Sequence, residues 1–198
     1  IDDPNISGEN LGRFVERIRQ QSIRLELIVK DLLHLSRFDS FNQESKLDRI
    51  RLSELITRLF ETNVENAHDA GVLLTLDIQD ESAQVLGETE AIDQLLTNLV
   101  DNAIKYTGAG GKVTVHLRRV GQMASIEVED TGIGISRGET TRIFERFYRI
   151  DRARSRDVGG TGLGLAIVKH IALAHNGNVS VDSLLDKGST FTVQLPLA

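Results

Sequence analysis

An α+β fold is predicted for this chain, with one long amphipathic helix placed before a two-layer α/β sandwich. Helices would cover one face of a mixed, antiparallel-rich sheet. Apolar residues at heptad spacing occupy residues 11–35, strand-like alternation recurs in neighbouring pairs joined by short turns, and segments of helical period separate them. The length of 198 residues leaves room for one domain and an appendage.

The first segment is a heptad stripe that predicts one helix. Its inward positions, all apolar except one, are Leu11, Phe14, Ile18, Gln21, Leu25, Ile28, Leu32 and Leu35. We expect the helix to start near a capping Ser7 or Asn10. Because such a stripe needs a partner, half of a helical bundle is favoured, and packing on the chain's own core is the alternative.

The polar stretch 39–48 predicts a linker, which divides the chain into residues 1–45 and a second domain at 46–198. The second domain is expected to open with a helix capped by Ser53 and ending before Gly71. Its inward positions would be Leu55, Ile56, Leu59, Phe60, Val64 and Ala67. The elements predicted after it are strands at 72–78 and 83–86, a helix at 88–106, a hairpin of 112–119 with 123–129, a helix at about 162–176, and a hairpin of 178–183 with 189–195.

Composition excludes several classes. Hydrophobic residues make up 40% and charged residues 26%, which is typical of a folded globular chain. No cysteine is present, so disulfides and thiolate metal sites are excluded, and a net charge of −6 disfavours a general nucleic-acid binder. The chain starts at Ile1 and its single methionine is Met123, so we expect it to be part of a longer protein.

The predicted helix 88–106 carries an unusual polar face. Asn98, Asp101, Asn102 and Lys105 fall on about a third of its circumference, opposite the apolar side. Carboxamide oxygens are ligands that suit Mg²⁺, which is usually completed by substrate phosphates, and Lys105 could meet a phosphate. An ordinary surface helix is the alternative.

A second motif follows the predicted strand 123–129. Asp130, Gly132 and Gly134 form Asp-Thr-Gly-Ile-Gly, in which the glycines permit close backbone approach and the carboxylate could accept from an exocyclic amine. A plain turn is the alternative for this pentapeptide alone.

A third motif, residues 159–165, is a glycine-rich loop that leads into a helix and predicts a phosphate site. Leu165 stands where a dinucleotide-binding loop needs glycine and where a Walker loop needs lysine, so both of those readings fail. The His-Arg-Asp and Asp-Phe-Gly signatures of protein kinases are also absent.

Between the second and third motifs the chain resembles a lid. Phe144 and Phe147 are expected to be a core anchor. The arginines that follow are either solvated loop charges or phosphate clamps: Arg149, Arg152, Arg154 and Arg156.

The order of these motifs resembles the catalytic, ATP-binding domain of bacterial sensor histidine kinases, in the superfamily shared with gyrase, Hsp90 and MutL. The resemblance covers nearly the whole chain, since the heptad helix resembles the second helix of the dimerisation and phosphoacceptor hairpin. It implies a cytoplasmic domain of a membrane-anchored parent, a homodimer through the hairpin, and a response-regulator receiver domain as partner.

The resemblance also implies residue roles toward ATP and Mg²⁺. Asn98 and Asn102 would hold the metal, Lys105 and Arg149 would act on the phosphates as catalytic residues, and Asp130 would accept the adenine amino group. The full nucleotide-binding set would be Asn98, Asn102, Lys105, Tyr106, Asp130, Gly132, Gly134, Ile135, Arg149, Gly160, Thr161, Gly162, Leu163 and Gly164.

Two departures refine the function. The superfamily's hydrolases are similar in having a glutamate base where this chain has Asn98, so transfer of phosphate is favoured over hydrolysis. The family's His-Glu-Leu-Arg-Thr-Pro acceptor motif is missing, so the acceptor is expected on an upstream helix. None of the chain's histidines has that context: His34, His68, His116, His170 and His175.

Two alternatives stay open. The missing acceptor also fits a degenerate kinase or a nucleotide-responsive dimerisation module. The anti-sigma-factor serine kinases share these motifs, but the long heptad helix argues against them.

Overall fold

The computed structural model describes residues 8–39, 47–150 and 161–198. In those residues the helices are α1 (Gly8–Asp39), α2 (Leu52–Asp69), α3 (Thr89–Tyr106) and α4 (Gly164–Ala174). The strands are β1 (Asp48–Arg51), β2 (Leu73–Ile78), β3 (Gln84–Gly87), β4 (Lys112–Val120), β5 (Met123–Asp130), β6 (Asn178–Leu184) and β7 (Gly188–Pro196).

A five-stranded sheet forms one layer, in the order β2-β4-β5-β7-β6. Only the β2–β4 pair is parallel, and the other neighbours pair antiparallel. Alternation along β4 buries Val113, Val115 and Leu117, which face the helical layer with the fully buried Leu95 and Leu99 of α3. The prediction of an antiparallel-rich mixed sheet with helices on one face is confirmed.

A short two-stranded sheet, which the sequence did not predict, joins β1 to β3. A single bridge from Val85 to Leu197 connects it to the chain after β7. β1 begins at Asp48, the last residue of the predicted linker, and α1 extends through Asp39, the first. Residues 40–46 of that linker lie outside the described residues, and the division into two domains stays a prediction.

The start of α2 differs from the prediction. The helix begins at Leu52, and Ser53 lies in its first turn, where the hydroxyl donates to the carbonyl oxygen of Glu81 at 2.8 Å instead of capping the helix. The inward side is also turned slightly, because Asn63 is buried while Val64 is 44% exposed. Both differences depend on contacts with distant parts of the chain, which fix where α2 starts and which of its sides faces the core.

Most apolar side chains that the structure describes on the long helix α1 are exposed. The exposed apolar side chains described on it are Leu11, Phe14, Val15, Ile18, Ile23, Leu25 and Val29. The helix contacts α4. It begins at Gly8, so Asn10 lies inside the helix and is not its N-cap, and Ser7, the other predicted cap, lies outside the described residues. Among the helices of the described residues, none combines the length and apolar character that crossing a membrane requires.

Candidate functional site

Two asparagines of α3 lie against the first residue of α4. Asn98 and Asn102 are one helical turn apart, on the side of α3 that the core leaves open. A methyl group on Gly164 would lie 3.1 Å from Oδ1 of Asn98 and 3.8 Å from Nδ2 of Asn102. A side chain at this position would therefore press on Asn98, and glycine lets the start of α4 lie close to both carboxamides without that contact.

The carboxamide of Asn98 is incompletely satisfied. Its Nδ2 is buried and has no hydrogen-bond partner within the described part of the chain. A buried donor without an acceptor costs about 1–3 kcal/mol, so it is expected only where a ligand supplies the acceptor. Two carboxamides one turn apart also fit a Mg²⁺ ion, whose coordination is normally completed by water and phosphate oxygens.

Two positive charges approach the same end of α3. Burial lowers the pKa of Lys105, the nearby positive charge of Arg149 lowers it further, and the carboxylate of Asp101 opposes both effects. Burial also raises the pKa of Asp101, against the attraction of Lys105. The ammonium of Lys105 lies 5.6 Å from the centre of the Tyr106 ring. A polyanion placed here would relieve the repulsion between the two cations.

The N-terminus of α4 lies at this cluster, because Gly164 is close to the carboxamides of Asn98 and Asn102. The first turn of α4 contains no acidic side chain, and no side chain caps it. Just before it, the N–H of Leu163 donates to Oγ1 of Thr161 at 3.2 Å, and Gly162 has a φ of +74°. An 11-residue helix offers a positive dipole end at this position. Gly160 and the arginines 152, 154 and 156 lie outside the described residues.

The prediction that Phe147 belongs to the core is wrong. Its side chain is 56% exposed, whereas Phe144 is half-buried and meets Phe191 edge-on, with ring centroids 6.4 Å apart. The N–H of Phe147 donates to the carbonyl oxygen of Gly162 at 2.9 Å, and its φ is +63°. This left-handed turn breaks the helical spacing on which the prediction depended.

Asp130, at the end of β5, forms the other part of the site. It is 6% exposed, and its Oδ1 accepts from the backbone N–H of Gly132 at 2.8 Å. Burial raises the pKa of its carboxyl group, although hydrogen bonds from Gly132 and Ser189 pull in the opposite direction. A methyl group on Gly132 would overlap the carbonyl oxygen of Tyr106, and Ile133 donates to that same oxygen at 3.2 Å. The turn after β5 therefore lies directly against the end of α3.

Gly134 and Ile135 continue this turn toward the last hairpin. Gly134 has a φ of +63° and is packed so closely on the carbonyl of Leu184 that a side chain would overlap it. The N–H of Ile135 donates to Oγ of Ser183 at 2.8 Å. The sequence reasoning missed Ser189, the partner of Asp130 on β7, and Ser183, which contacts Ser189 from β6, and no local spacing marks either serine.

The structure thus groups the sequence-predicted residues into two ends. We call the first group the phosphate end, after the ligand group that the sequence predicts there, and it contains Asn98, Asn102, Lys105, Arg149 and Gly164. We call the second group the base end for the same reason, and it contains Tyr106, Asp130, Gly132, Gly134 and Ile135. Because Lys105 and Tyr106 are consecutive residues of α3, the two ends are continuous. Together they offer metal ligands, positive charge and one buried carboxylate.

Two histidines lie elsewhere. His175 is buried and ties α4 to the start of α3: Nδ1 bonds to the carbonyl oxygen of Ile171 at 2.8 Å, and Nε2 accepts from the N–H of Glu88 at 3.2 Å. His116 bonds to Asp77 at 2.9 Å on the face of the sheet away from the helices. His175 is thus a structural tie between two helices, a role that its position near a helix end did not predict.

Comparisons with known proteins agree on one family. Residues 87–198 match the family described as histidine kinase-, DNA gyrase B-, and HSP90-like ATPase. The chain is 41% identical over 187 residues to the sensor histidine kinase RppB of Synechocystis, covering 94% of this chain and 41% of RppB. It is 37% identical over 195 residues to the sensor-like histidine kinase SenX3 of Mycolicibacterium smegmatis, covering 98% of this chain and 50% of SenX3. The chain spans half or less of these relatives.

Solved structures give the same result. Full-length ShkA in complex with AMPPNP superposes with a TM-score of 0.80 at 29% identity, over 94% of this chain and 38% of ShkA. The histidine kinase ThkA, in complex with the response regulator protein TrrA, superposes with a TM-score of 0.73 at 25% identity, over 100% of this chain and 53% of ThkA.

Proposed function

This chain belongs to the histidine kinase-, DNA gyrase B-, and HSP90-like ATPase family, and from that premise we propose that it is the ATP-binding catalytic portion of a sensor histidine kinase. It would bind Mg-ATP and transfer the γ-phosphoryl group to a histidine on an upstream helix. From that histidine the phosphoryl group would pass to an aspartate of a response regulator.

One observation carries the proposal: among the residues that the structure describes, the buried Nδ2 of Asn98 has no hydrogen-bond partner, and it lies near the N-terminus of α4 and two cations that repel each other. A triphosphate supplies acceptors for the amide and negative charge for Lys105 and Arg149. At the other end, the carboxylate of Asp130 would accept the exocyclic amine of adenine. Phosphoryl transfer depends mainly on such positioning and charge neutralisation.

Mg²⁺ would be held by Asn98 and Asn102, which match its preference for oxygen ligands and leave positions for phosphate oxygens. When bound, the ion neutralises the charge that develops on the phosphates. The chain's own residues would then orient the γ-phosphoryl group through Lys105 and Arg149. Gly164 allows the start of α4 to approach those phosphates with its backbone N–H groups.

Asn98 also distinguishes transfer from hydrolysis. A carboxamide cannot accept a proton from water, so the site lacks a general base at the position where hydrolases of the superfamily resemble one another in having glutamate. An external imidazole needs no such base, because its neutral nitrogen is already a nucleophile. We therefore place the chain among kinases.

The proposal also includes the binding partners of the chain and the location of the parent protein. ThkA was solved with a response regulator, and a receiver domain is the partner we assign to this chain as well. The exposed apolar stripe of α1 would pair in a homodimer of the intact kinase. The parent protein would be membrane-anchored, with this part in the cytoplasm.

Calorimetric titration of ATP with and without Mg²⁺ tests the binding proposal. Asn102→Ala should abolish the Mg²⁺-dependent part of binding, because it removes a ligand without touching the core. Asn66→Ala, an exposed asparagine of α2, is the matched control and should bind like the wild type. Wild-type affinity in Asn102→Ala would overturn the metal assignment.

A transfer assay separates a kinase from a binding module. A separate first-helix fragment that carries the acceptor histidine is mixed with the chain and γ-labelled ATP. Labelled histidine is the expected result, and Arg149→Ala should reduce it strongly. ATP binding without any labelling would favour the nucleotide-responsive dimerisation module, for which the exposed stripe of α1 is the supporting observation.

A further inference from the structure

One hydroxyl group at the base end joins three segments of backbone. Ser183, on β6, accepts from the N–H of Ile135 at 2.8 Å and donates to the carbonyl oxygen of Gly188 at 2.8 Å. Its Oγ also lies 3.0 Å from Oγ of Ser189. The residue is half-buried, and Ile135 is 48 positions away in sequence. The hydroxyl therefore links the turn after Asp130 to both strands of the last hairpin.

The same network reaches Asp130. Ser189 is the register partner of Asp130 across β5 and β7, and hydrogen bonding from its backbone N–H and hydroxyl works to lower the pKa of the Asp130 carboxyl group. Each serine has a single hydroxyl proton. If Ser189 gives its proton to Asp130, the proton of Ser183 is shared between Gly188 and Ser189. A continuous series of hydrogen bonds then runs from Ile135 through Ser183 and Ser189 to Asp130.

We propose that Ser183 is a positioning residue for adenine recognition, an inference that rests on the proposed ATP-binding function. It holds the turn at Ile135 and, through Ser189, aims the carboxylate of Asp130 at the exocyclic amine. Hydrogen bonds weaken steeply when the donor and acceptor are misaligned, so a displaced carboxylate loses its preference for the amine. The phosphate end is held by α3 and α4 and does not depend on this hydroxyl.

The experiment compares three probes on the Ser183→Ala variant. ATP contacts both ends, inosine triphosphate lacks the exocyclic amine, and Mg-tripolyphosphate contacts only the phosphate end. We expect about tenfold weaker ATP binding, an effect of the size of one lost hydrogen bond. Binding of Mg-tripolyphosphate should change by less than about twofold, and the preference for ATP over inosine triphosphate should shrink by about tenfold.

Matched variants make the result specific. Ser183→Thr keeps the hydroxyl and should restore the preference for ATP, whereas Ser180→Ala removes an exposed serine of the same strand and should bind like the wild type. Ser189→Ala removes the next hydroxyl of the series and should reproduce the selective loss. Equal weakening of ATP and tripolyphosphate, or unchanged ATP binding, would overturn the positioning role.

Amide hydrogen exchange distinguishes this inference from the proposed function. In the nucleotide-free chain, Ser183→Ala should speed exchange at Ile135 by at least about tenfold, because its N–H loses its acceptor. Unchanged exchange at Ile135 would overturn the inference even if ATP binds. A wild-type chain that binds no ATP would overturn the proposed function and the adenine role together, whatever the exchange at Ile135.

Discussion

The base end and the phosphate end of the site differ in how far the chain completes them by itself. At the base end, Asp130 already accepts a hydrogen bond from Gly132 and has Ser189 as its register partner on β7, and the turn is closed against neighbouring carbonyls. At the phosphate end, Nδ2 of Asn98 finds no partner in residues 8–39, 47–150 and 161–198, and Lys105 is repelled by the charge of Arg149. The base end is preformed, whereas the phosphate end holds unfavourable contacts that an anionic ligand would relieve.

Burial affects the charges of the two ends in the same sense. It raises the pKa of Asp130 and lowers the pKa of Lys105, so in both cases the charged form is disfavoured. Recognition of ATP would need both groups charged. Keeping both groups charged would therefore lower the free energy of unfolding while favouring ATP binding. Substitutions at the two ends should change stability and ATP affinity in different ways.

The largest expected effect on stability and ATP binding comes from a substitution that distorts the preformed base end. A methyl group in Gly132→Ala would overlap the carbonyl oxygen of Tyr106 and lie 2.8 Å from Oδ1 of Asp130. Overpacking against fixed groups costs about 1–3 kcal/mol, so we expect that loss in the free energy of unfolding and no measurable ATP binding. Urea denaturation and calorimetry measure both.

Gly138→Ala is the matched control for that substitution. Gly138 lies in the same connecting segment, and no atom is within 4 Å of the added methyl group. It should leave the urea midpoint and ATP affinity at wild-type values. Equal effects of the two substitutions would show that the base end is not sterically closed.

Asp130→Asn should remove binding at the base end without the loss of stability. The amide oxygen can still accept from the N–H of Gly132, so the NH2 group takes the place of the oxygen that would accept from adenine, and two donors then face each other. We expect about 100-fold weaker ATP binding, the size of a lost charged hydrogen bond.

Stability should move the other way in Asp130→Asn. Because the folded-state pKa of Asp130 is raised, its ionised form opposes folding at neutral pH, and this cost is relieved as pH falls through that pKa. The neutral side chain should therefore give an equal or higher unfolding midpoint at pH 7. A clear drop at pH 7 would contradict the sign of the shift.

Asn98→Ala tests stability and Mg-ATP binding at the phosphate end. It deletes a buried donor for which the described part of the chain supplies no acceptor, so the nucleotide-free chain should keep its stability or gain up to about 1 kcal/mol. Mg-ATP binding should weaken by about 30-fold, because the same amide meets the phosphates and the metal in our proposal. Thermal unfolding with and without Mg-ATP measures both effects, and a large loss of stability without nucleotide would show that Asn98 is already satisfied.

Sequence alone predicted most of the fold because its elements have clear periods. The hairpins β4–β5 and β6–β7 and the helix α3 follow alternation and helical spacing, which are local properties. The strand β1 was missed, since only Ile50 of its four residues is buried and pairing with β3 stabilises it. Phe147 was misplaced because a hydrogen bond to Gly162 sets its backbone.

The same division holds for the site. Asn98, Asn102, Asp130 and the glycines could be proposed from sequence because each motif is continuous. Ser183 could not, because its role depends on a bond to Ile135 on another part of the chain. The groups that would contact the ligand could therefore be predicted from the sequence, whereas the residues that position those groups become visible only in the fold.

The smallest expected effect tests the charge of the phosphate end alone. Burial and Arg149 lower the pKa of Lys105, so its positive charge, and the binding that depends on it, should begin to be lost at a lower pH than in an ordinary lysine, whose pKa is about 10.4. ATP is fully ionised throughout this range, since its last phosphate pKa is close to that of other phosphate monoesters, about 6. Affinity should fall by less than about tenfold between about pH 7.5 and 9.5.

Lys105→Arg keeps its charge over the whole range, so its affinity for Mg-ATP should not follow this decline. In the wild type, binding should draw a proton onto Lys105, because the triphosphate raises the pKa that Arg149 had lowered. Calorimetry in buffers of different ionisation enthalpy measures this uptake, which the arginine variant should lack. Mg-tripolyphosphate should show the same pH dependence, because the base end takes no part in it. If the affinity for Mg-ATP depended on pH identically in the wild type and in Lys105→Arg, the charge of Lys105 would not limit binding at the phosphate end, and the proposed contrast with the base end would be wrong.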